Sequence, residues 1–258
     1  GGVVEPRSRN QINRMLFFHH SLHQNSRWEN ETMALENAIE LRDDFSLRGR
    51  CEMFRVNLDS MVAAHQLHQG SNLRGHLVWA RYSHFQRLLA IRNVPIFPED
   101  EEVIQFFRDN NDPELYMDRN AISRSQFRKI VSPMVRSGHL IQDYRGGFKT
   151  VEPLHNVDLW EIKRDYLREL VQDYPVITLR QVERLAGSSF TAEEISDVMH
   201  DFEEDGTLIK GFLVDDLQDI CWGRLDMLEG LGSINRTRDL VVPPSDPLIH
   251  YFGSLLRE

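Results

Sequence analysis

Apolar residues recur at helical spacing through most of the 258-residue chain. Behind Thr32, a candidate cap, Met33, Leu35, Ala38, Ile39 and Leu41 follow a period near 3.6 and predict a helix. A second helix is predicted from about Cys51 to Gln69, with Phe54, Leu58, Met61, Val62 and Leu67 on one face and Gly70-Ser71-Asn72 at its end. A third runs from Tyr82 to Arg92 on Phe85, Leu88, Leu89 and Ile91. It stops at Val94-Pro95, because a proline pushes the residue before it out of the helical region. Pro95 and Pro98 lead into an acidic stretch in which Val103, Ile104, Phe106 and Phe107 predict a short amphipathic helix, ended by Asn110-Asn111-Asp112-Pro113.

Two later stretches share a plan. Ser123 to Ser137 reads as a helix closed by Gly138, and His139 to Tyr144 as a strand; Arg145-Gly146-Gly147 turns the chain into Phe148 to Val151. Further on, Leu159 to Tyr174, Thr178 to Ala186 and Thr191 to Glu204 read as three helices. Asp205-Gly206 then leads into a strand, Thr207 to Val214. Helices, a glycine and a hairpin are the winged-helix plan, in which the last helix can enter a major groove. Ser137-Gly138-His-Leu-Ile and Asp205-Gly206-Thr-Leu-Ile occupy equivalent places, which argues for two copies. The expected fold class is mainly α with short β-hairpins as wings, in tandem winged helix-turn-helix domains. The expected boundaries are 1–98 (a helical region, or a degenerate winged helix), 99–157 (basic winged helix), 158–224 (acidic winged helix) and 225–258 (a shortened C-terminal extension).

Charge separates the two copies. The chain carries a net −10, yet residues 119–151 hold seven basic side chains, Arg119, Arg124, Arg128, Lys129, Arg136, Arg145 and Lys149, against Asp143 alone. A surface that neutralises phosphates needs this kind of island. The Thr191 to Asp205 helix holds Glu193, Glu194, Asp197, Asp201, Glu203, Glu204 and Asp205 without a Lys or Arg, so phosphates would repel it. The earlier copy is therefore expected to bind double-stranded DNA. The later one is expected to be a spacer or a docking unit for a protein partner.

Composition sets the outer bounds. With 41% hydrophobic and 9% aromatic residues the chain can bury a sizeable core, which excludes disorder as its main state. No apolar run approaches the roughly 18 residues that cross a bilayer, and Gly1-Gly2-Val3-Val4-Glu5 is no export signal. The expectation is a cytoplasmic protein without membrane contact. Cys51 and Cys221 are too few for a disulfide framework or a cysteine zinc site. His19-His20-x-x-His23 and His65-x-x-His68 have helical spacing for metal ligation but lack the glutamate of a metalloprotease motif, and are read as solvated helix faces; no metal and no cofactor is expected. Nothing fits a phosphate-binding G-x-x-x-x-G-K-[ST] loop, so an ATPase motor is excluded within this chain.

Trp160 to Asp216, with Ile177-Thr178-Leu179-Arg180-Gln181-Val182-Glu183-Arg184-Leu185-Ala186-Gly187 and Leu208-Ile209-Lys210-Gly211-Phe212, resembles the repeated winged helices of the AlkZ-type (YcaQ-like) crosslink-repair DNA glycosylases. It is also similar to modules appended to Lhr-type helicases. Val241-Val242-Pro243-Pro244-Ser245-Asp246-Pro247-Leu248 is similar to the passage that leaves the last winged helix in these families, and Arg74-Gly75-His76-Leu77 to a segment that follows the active site. Asn57-Leu58-Asp59 opens a run, through Ser60 to His65, that resembles the active-site stretch, where the family has Gln-x-Asp or Gln-x-Gln. The resemblance implies Asp59 as a base acting on water, Asn57 in the place of a water-orienting Gln, and His76 as a helper. Asn57 is one methylene shorter, and misplacing the water by about 1 Å can cost on the order of 100-fold in rate. Two functions follow: a DNA-binding tandem winged-helix module in repair or regulation, and a glycosylase that hydrolyses the N-glycosidic bond of alkylated or crosslinked bases.

Overall fold

The computed structural model describes residues 6–12, 57–64, 66–172, 174–215 and 217–229. They fall into two compact units, one of residues 57–159 and one of residues 6–12 and 160–229. The expected helix after Thr32, the histidines 19, 20, 23 and 65, Cys51 and the passage 241–248 lie outside the described residues.

The first unit runs α1 (Leu58–Ala64), β1 (His68–Ser71), β2 (Leu77–Ala80), α2 (Tyr82–Arg92), α3 (Pro98–Asp109), α4 (Pro113–Asn120), α5 (Arg124–Ser137), β3 (Leu140–Gln142) and β4 (Phe148–Thr150). Here the expected helix from Cys51 to Gln69 needs correction. The helix ends at Ala64, Gln66 takes a left-handed φ of 52°, and His68–Ser71 pairs antiparallel with Leu77–Ala80. Leu67 keeps the helical spacing and is buried, but it leads into a strand. The segment 58–80 is thus a helix followed by a hairpin, the same order as the last helix and wing of the basic copy.

The two hairpins join. Gln69 pairs with Gln142, which makes one antiparallel sheet in the order β2-β1-β3-β4, and the sheet spans the expected boundary at position 98. Gly70 sits at this junction. A Cβ there would lie 2.6 Å from the Phe85 ring and 2.8 Å from Ile141 Cγ2, both fully buried side chains.

The basic copy is built around Phe107. Its ring stacks on Tyr116 at 5.6 Å and meets Phe127 at 6.1 Å and Phe148 at 5.4 Å, so one residue of α3 touches α4, α5 and β4. Val103, Ile104, Met117, Val131, Met134 and Leu140 complete that core. The acidic stretch folds as two helices, because Asp112 caps α4 by accepting from the Glu114 N–H and Pro113 occupies its first position.

The second unit runs α6 (Leu159–Gln172), β5 (Val176–Thr178), α7 (Leu179–Ala186), α8 (Ala192–Glu204), β6 (Ile209–Gly211), β7 (Cys221–Gly223) and α9 (Leu225–Glu229). The expected strand Thr207 to Val214 is shorter than its pattern. Its partner is β7, which also pairs with β5 in the order β5-β7-β6. Residues 6–12 also join this unit: the Arg7 N–H donates to the Leu213 carbonyl, and the Asp215 N–H to the Arg7 carbonyl. Ile12 is fully buried. The architecture is mainly α, with tandem winged helix-turn-helix domains and short wings, as expected.

Candidate nucleic-acid interface

Helix α5 starts where its sequence dictates. Ser123 Oγ accepts from the Gln126 N–H while Gln126 Oε1 accepts from the Ser123 N–H, a capping box. Gly138 ends the helix at φ 91° and sends the chain into the wing. Phe127, Val131 and Met134 bury one side of α5. That leaves Arg124, Arg128, Ser132 and Arg136, four residues apart each time, along a stripe facing outward.

This stripe forms one wall of a groove of about 970 Å³. The wing contributes Gln142, Arg145, Gly146 and Phe148, and the upstream hairpin adds Gln69, Gly75 and Leu77. Arg124, Arg128, Arg136 and Arg145 thereby line one groove together with Phe127, Val131 and Val135. Two carboxylates, Asp112 and Glu114, also face it. Glu114 Oε1 accepts from Arg124 Nη2 at 2.6 Å.

The other three basic residues of the island stand apart from this channel. Lys129 is exposed on α5 but does not line the groove. The Lys149 ammonium lies 4.3 Å from the centroid of the Tyr82 ring. It lines a separate depression with His68, Arg108 and Asp143. Burial, and then the nearby Lys149 charge, push the His68 imidazole below its ordinary pKa. Arg119, at the end of α4, borders a third depression with Glu101, Glu102 and Asp109 of the acidic helix α3.

The residues singled out by the resemblance are placed as follows. Asn57 precedes α1 and caps it, its carbonyl accepting from the Met61 N–H and its side-chain Oδ1 from the Ser60 N–H at 2.8 Å. Asp59 is exposed in the first turn of α1. His76 is exposed in the turn between β1 and β2, where its N–H donates to Asn72 Oδ1. None of the three lines the groove, although the neighbours of His76, Gly75 and Leu77, do. Arg50 and Arg55 lie outside the described residues. Sequence reading missed the contribution of the β1–β2 hairpin to the groove, because Leu67 continued the helical period past the true end of α1.

The acidic copy is less repulsive than its composition implies. Lys163 of α6 lies 2.6 Å from Glu194, Arg164 3.3 Å from Asp201 and Arg168 3.7 Å from Asp205, while Lys210 of the wing lies 3.6 Å from Glu203. Desolvation opposes the Glu194 carboxylate, but the Lys163 ammonium and Thr191 together hold its pKa below the ordinary value. Four of the seven acids thus tie α8 to its own unit. Cys221 is buried, and its thiol is pushed up to about 11, so it is an inert core residue.

Among the described residues no three His, Cys, Asp or Glu side chains converge to hold a metal ion, and no helix is long and apolar enough to cross a membrane. No protein-family model matches the chain, and no curated protein matches it by sequence. Among solved structures, the DNA glycosylase AlkZ of Streptomyces sahachiroi is similar over 90% of this chain and 73% of AlkZ, with a TM-score of 0.56 and 14% identity. The two share a fold.

Proposed function

We propose that this chain is a DNA-binding tandem winged-helix protein that works in DNA repair, or as a regulator or accessory module, and grips duplex DNA through its basic copy. The observation that carries the proposal is the convergence of Arg124, Arg128 and Arg136 of α5 with Arg145 of the wing along one groove. Arginine suits this task because its planar fork binds phosphate oxygens two at a time. Lys129 and Lys149 extend the basic surface beyond the groove. The acidic copy serves as a structural spacer, since Lys163, Arg164, Arg168 and Lys210 are engaged by its own carboxylates.

Each neutralised phosphate contributes about −0.9 to the slope of log K against log salt. The double variant Arg128→Ala/Arg136→Ala should flatten that slope by about 2 in a binding series across salt concentrations. Arg119→Ala, on the acidic side of the copy, should leave it unchanged. An unchanged slope in the double variant, or no binding by the parent at low salt, rejects the proposal.

A second reading is supported by the fold shared with AlkZ: hydrolysis of the N-glycosidic bond of a damaged base, with Asp59 as general base and Asn57 and His76 beside it. Such chemistry needs a carboxylate base and an amide that orients water. Asp59 is available to solvent, but the Asn57 side-chain Oδ1 is committed to the Ser60 N–H. Weak or no base release from alkylated DNA is therefore expected, without metal or ATP, and Asp59→Asn should abolish whatever release occurs while binding persists. Robust release by the parent would overturn the expectation of weak activity. Release that survives Asp59→Asn would place the site elsewhere.

A further inference from the structure

The tip of the basic wing is held by more hydrogen bonds than a hairpin turn needs. Asp143 Oδ1 accepts from the N–H groups of both Arg145 and Gly147 at 2.8 Å. The Asp143 N–H donates to the Gly147 carbonyl, the Gly146 N–H to the Asp143 carbonyl, and Gln142 Nε2 to the Gly146 carbonyl. Gly146 adopts a φ of 89°, and a Cβ on Gly147 would lie 2.8 Å from Asp143 Oδ2 and 3.0 Å from the Asn111 carbonyl oxygen. The Phe148 N–H donates to that same Asn111 carbonyl, which anchors the base of the tip to the loop between α3 and α4.

This rigid loop presents an aromatic ring to water. Tyr144 is 41% exposed. The Arg145 guanidinium lies over the ring, 5.2 Å from its centroid, and Arg145 Nε donates to the Tyr144 hydroxyl oxygen at 2.8 Å. Arg145 is also one of the four arginines of the groove, and Leu77, 45% exposed, lines the same channel. Tyr144 therefore stands beside an arginine that lines the groove, and the turn has already ordered the backbone that carries the pair. A preordered side chain loses little freedom on binding, so its contacts translate into affinity.

Fully paired duplex DNA offers phosphates to such a channel but keeps its base faces stacked on one another. An unpaired base has a free π-face, and stacking on an aromatic side chain tolerates any base. From the exposed ring, its rigid mounting and the adjacent guanidinium channel, we infer that Tyr144 and Arg145 form a stacking site for an unpaired base, giving the chain a preference for DNA that carries an extruded nucleotide. This inference rests on the reading of the groove as a DNA-binding surface.

The test compares the full chain on a labelled duplex and on the same duplex with a one-nucleotide bulge holding a fluorescent adenine analogue. The bulged DNA should bind about 5-fold or more tighter, and the analogue should be quenched on binding, as stacking on one aromatic ring implies. Tyr144→Ala should remove both the preference and the quenching while keeping salt-dependent duplex binding; Tyr144→Phe should keep all three. Equal affinity of the parent for the two DNAs, or a preference that survives Tyr144→Ala, overturns this inference and leaves duplex binding standing. Failure of the parent to bind either DNA overturns both.

Discussion

Arg124 Nη2 lies 2.6 Å from Glu114 Oε1, so the first arginine of α5 is held by a carboxylate of the preceding helix α4. Both side chains are well exposed, and a solvent-exposed ion pair of this kind is worth about 0.2–1 kcal/mol. A phosphate entering the groove must displace Glu114 or work against its charge.

Glu114→Gln should therefore tighten DNA binding, by roughly 2- to 5-fold at low salt, because it frees Arg124 and removes a negative charge from the channel. Thermal unfolding should change little. Anisotropy titrations with labelled duplex check the first expectation; weaker binding by Glu114→Gln would mean that the ion pair orients Arg124 productively.

Gly70→Ala should destabilise the unit of residues 57–159. The added methyl would meet Phe85 and Ile141 inside 3 Å, and neither has room to move in a closely packed interior. Overpacking of this kind costs about 1–3 kcal/mol. Urea denaturation followed by circular dichroism should show a lower midpoint, and an unchanged midpoint would show that the strands can slide apart at no cost.

Glu194 couples stability to pH. It is the third residue of the capping box with Thr191 and also accepts from Lys163 Nζ at 2.6 Å. Glu194→Gln keeps an acceptor for the box and removes the charge, and should cost roughly 1–2 kcal/mol near pH 7. The folded pKa lies below the ordinary 4.5, so the contribution is complete above that value and is lost as pH falls through the lowered folded pKa. Parent and variant should converge in stability in strong acid. A difference that persists there would assign the loss to packing. DNA affinity should be unchanged or slightly raised, since α8 is read as not touching nucleic acid.

Much of this protein was legible along the chain for local physical reasons. Ser123, Thr178 and Thr191, each followed three residues later by Gln or Glu, form capping boxes, so the starts of α5, α7 and α8 are matters of short-range hydrogen bonding. Gly138, at a φ that other residues avoid, marks the end of α5 and the start of the wing just as plainly. The basic island, too, is a property of composition.

What tertiary structure alone decided is how these pieces meet. The strand His68–Ser71 hides behind a helical period, because its hydrogen bonds go to residues 77–80 and to Gln142, distant in sequence. Strand Cys221–Gly223 shows no alternation, being buried at all three positions between two neighbours. Charge counting could not separate Arg128, in the groove, from Arg119, among the acids of α3, since side chains close in sequence point to different faces of a packed helix set. Nor could it show that Lys163, Arg164 and Arg168 pair with Glu194, Asp201 and Asp205, a pairing set by how α6 packs on α8. Composition fixes how many charges a surface can carry; packing fixes which of them share it, because electrostatic and hydrogen-bonding partners are chosen by distance in space.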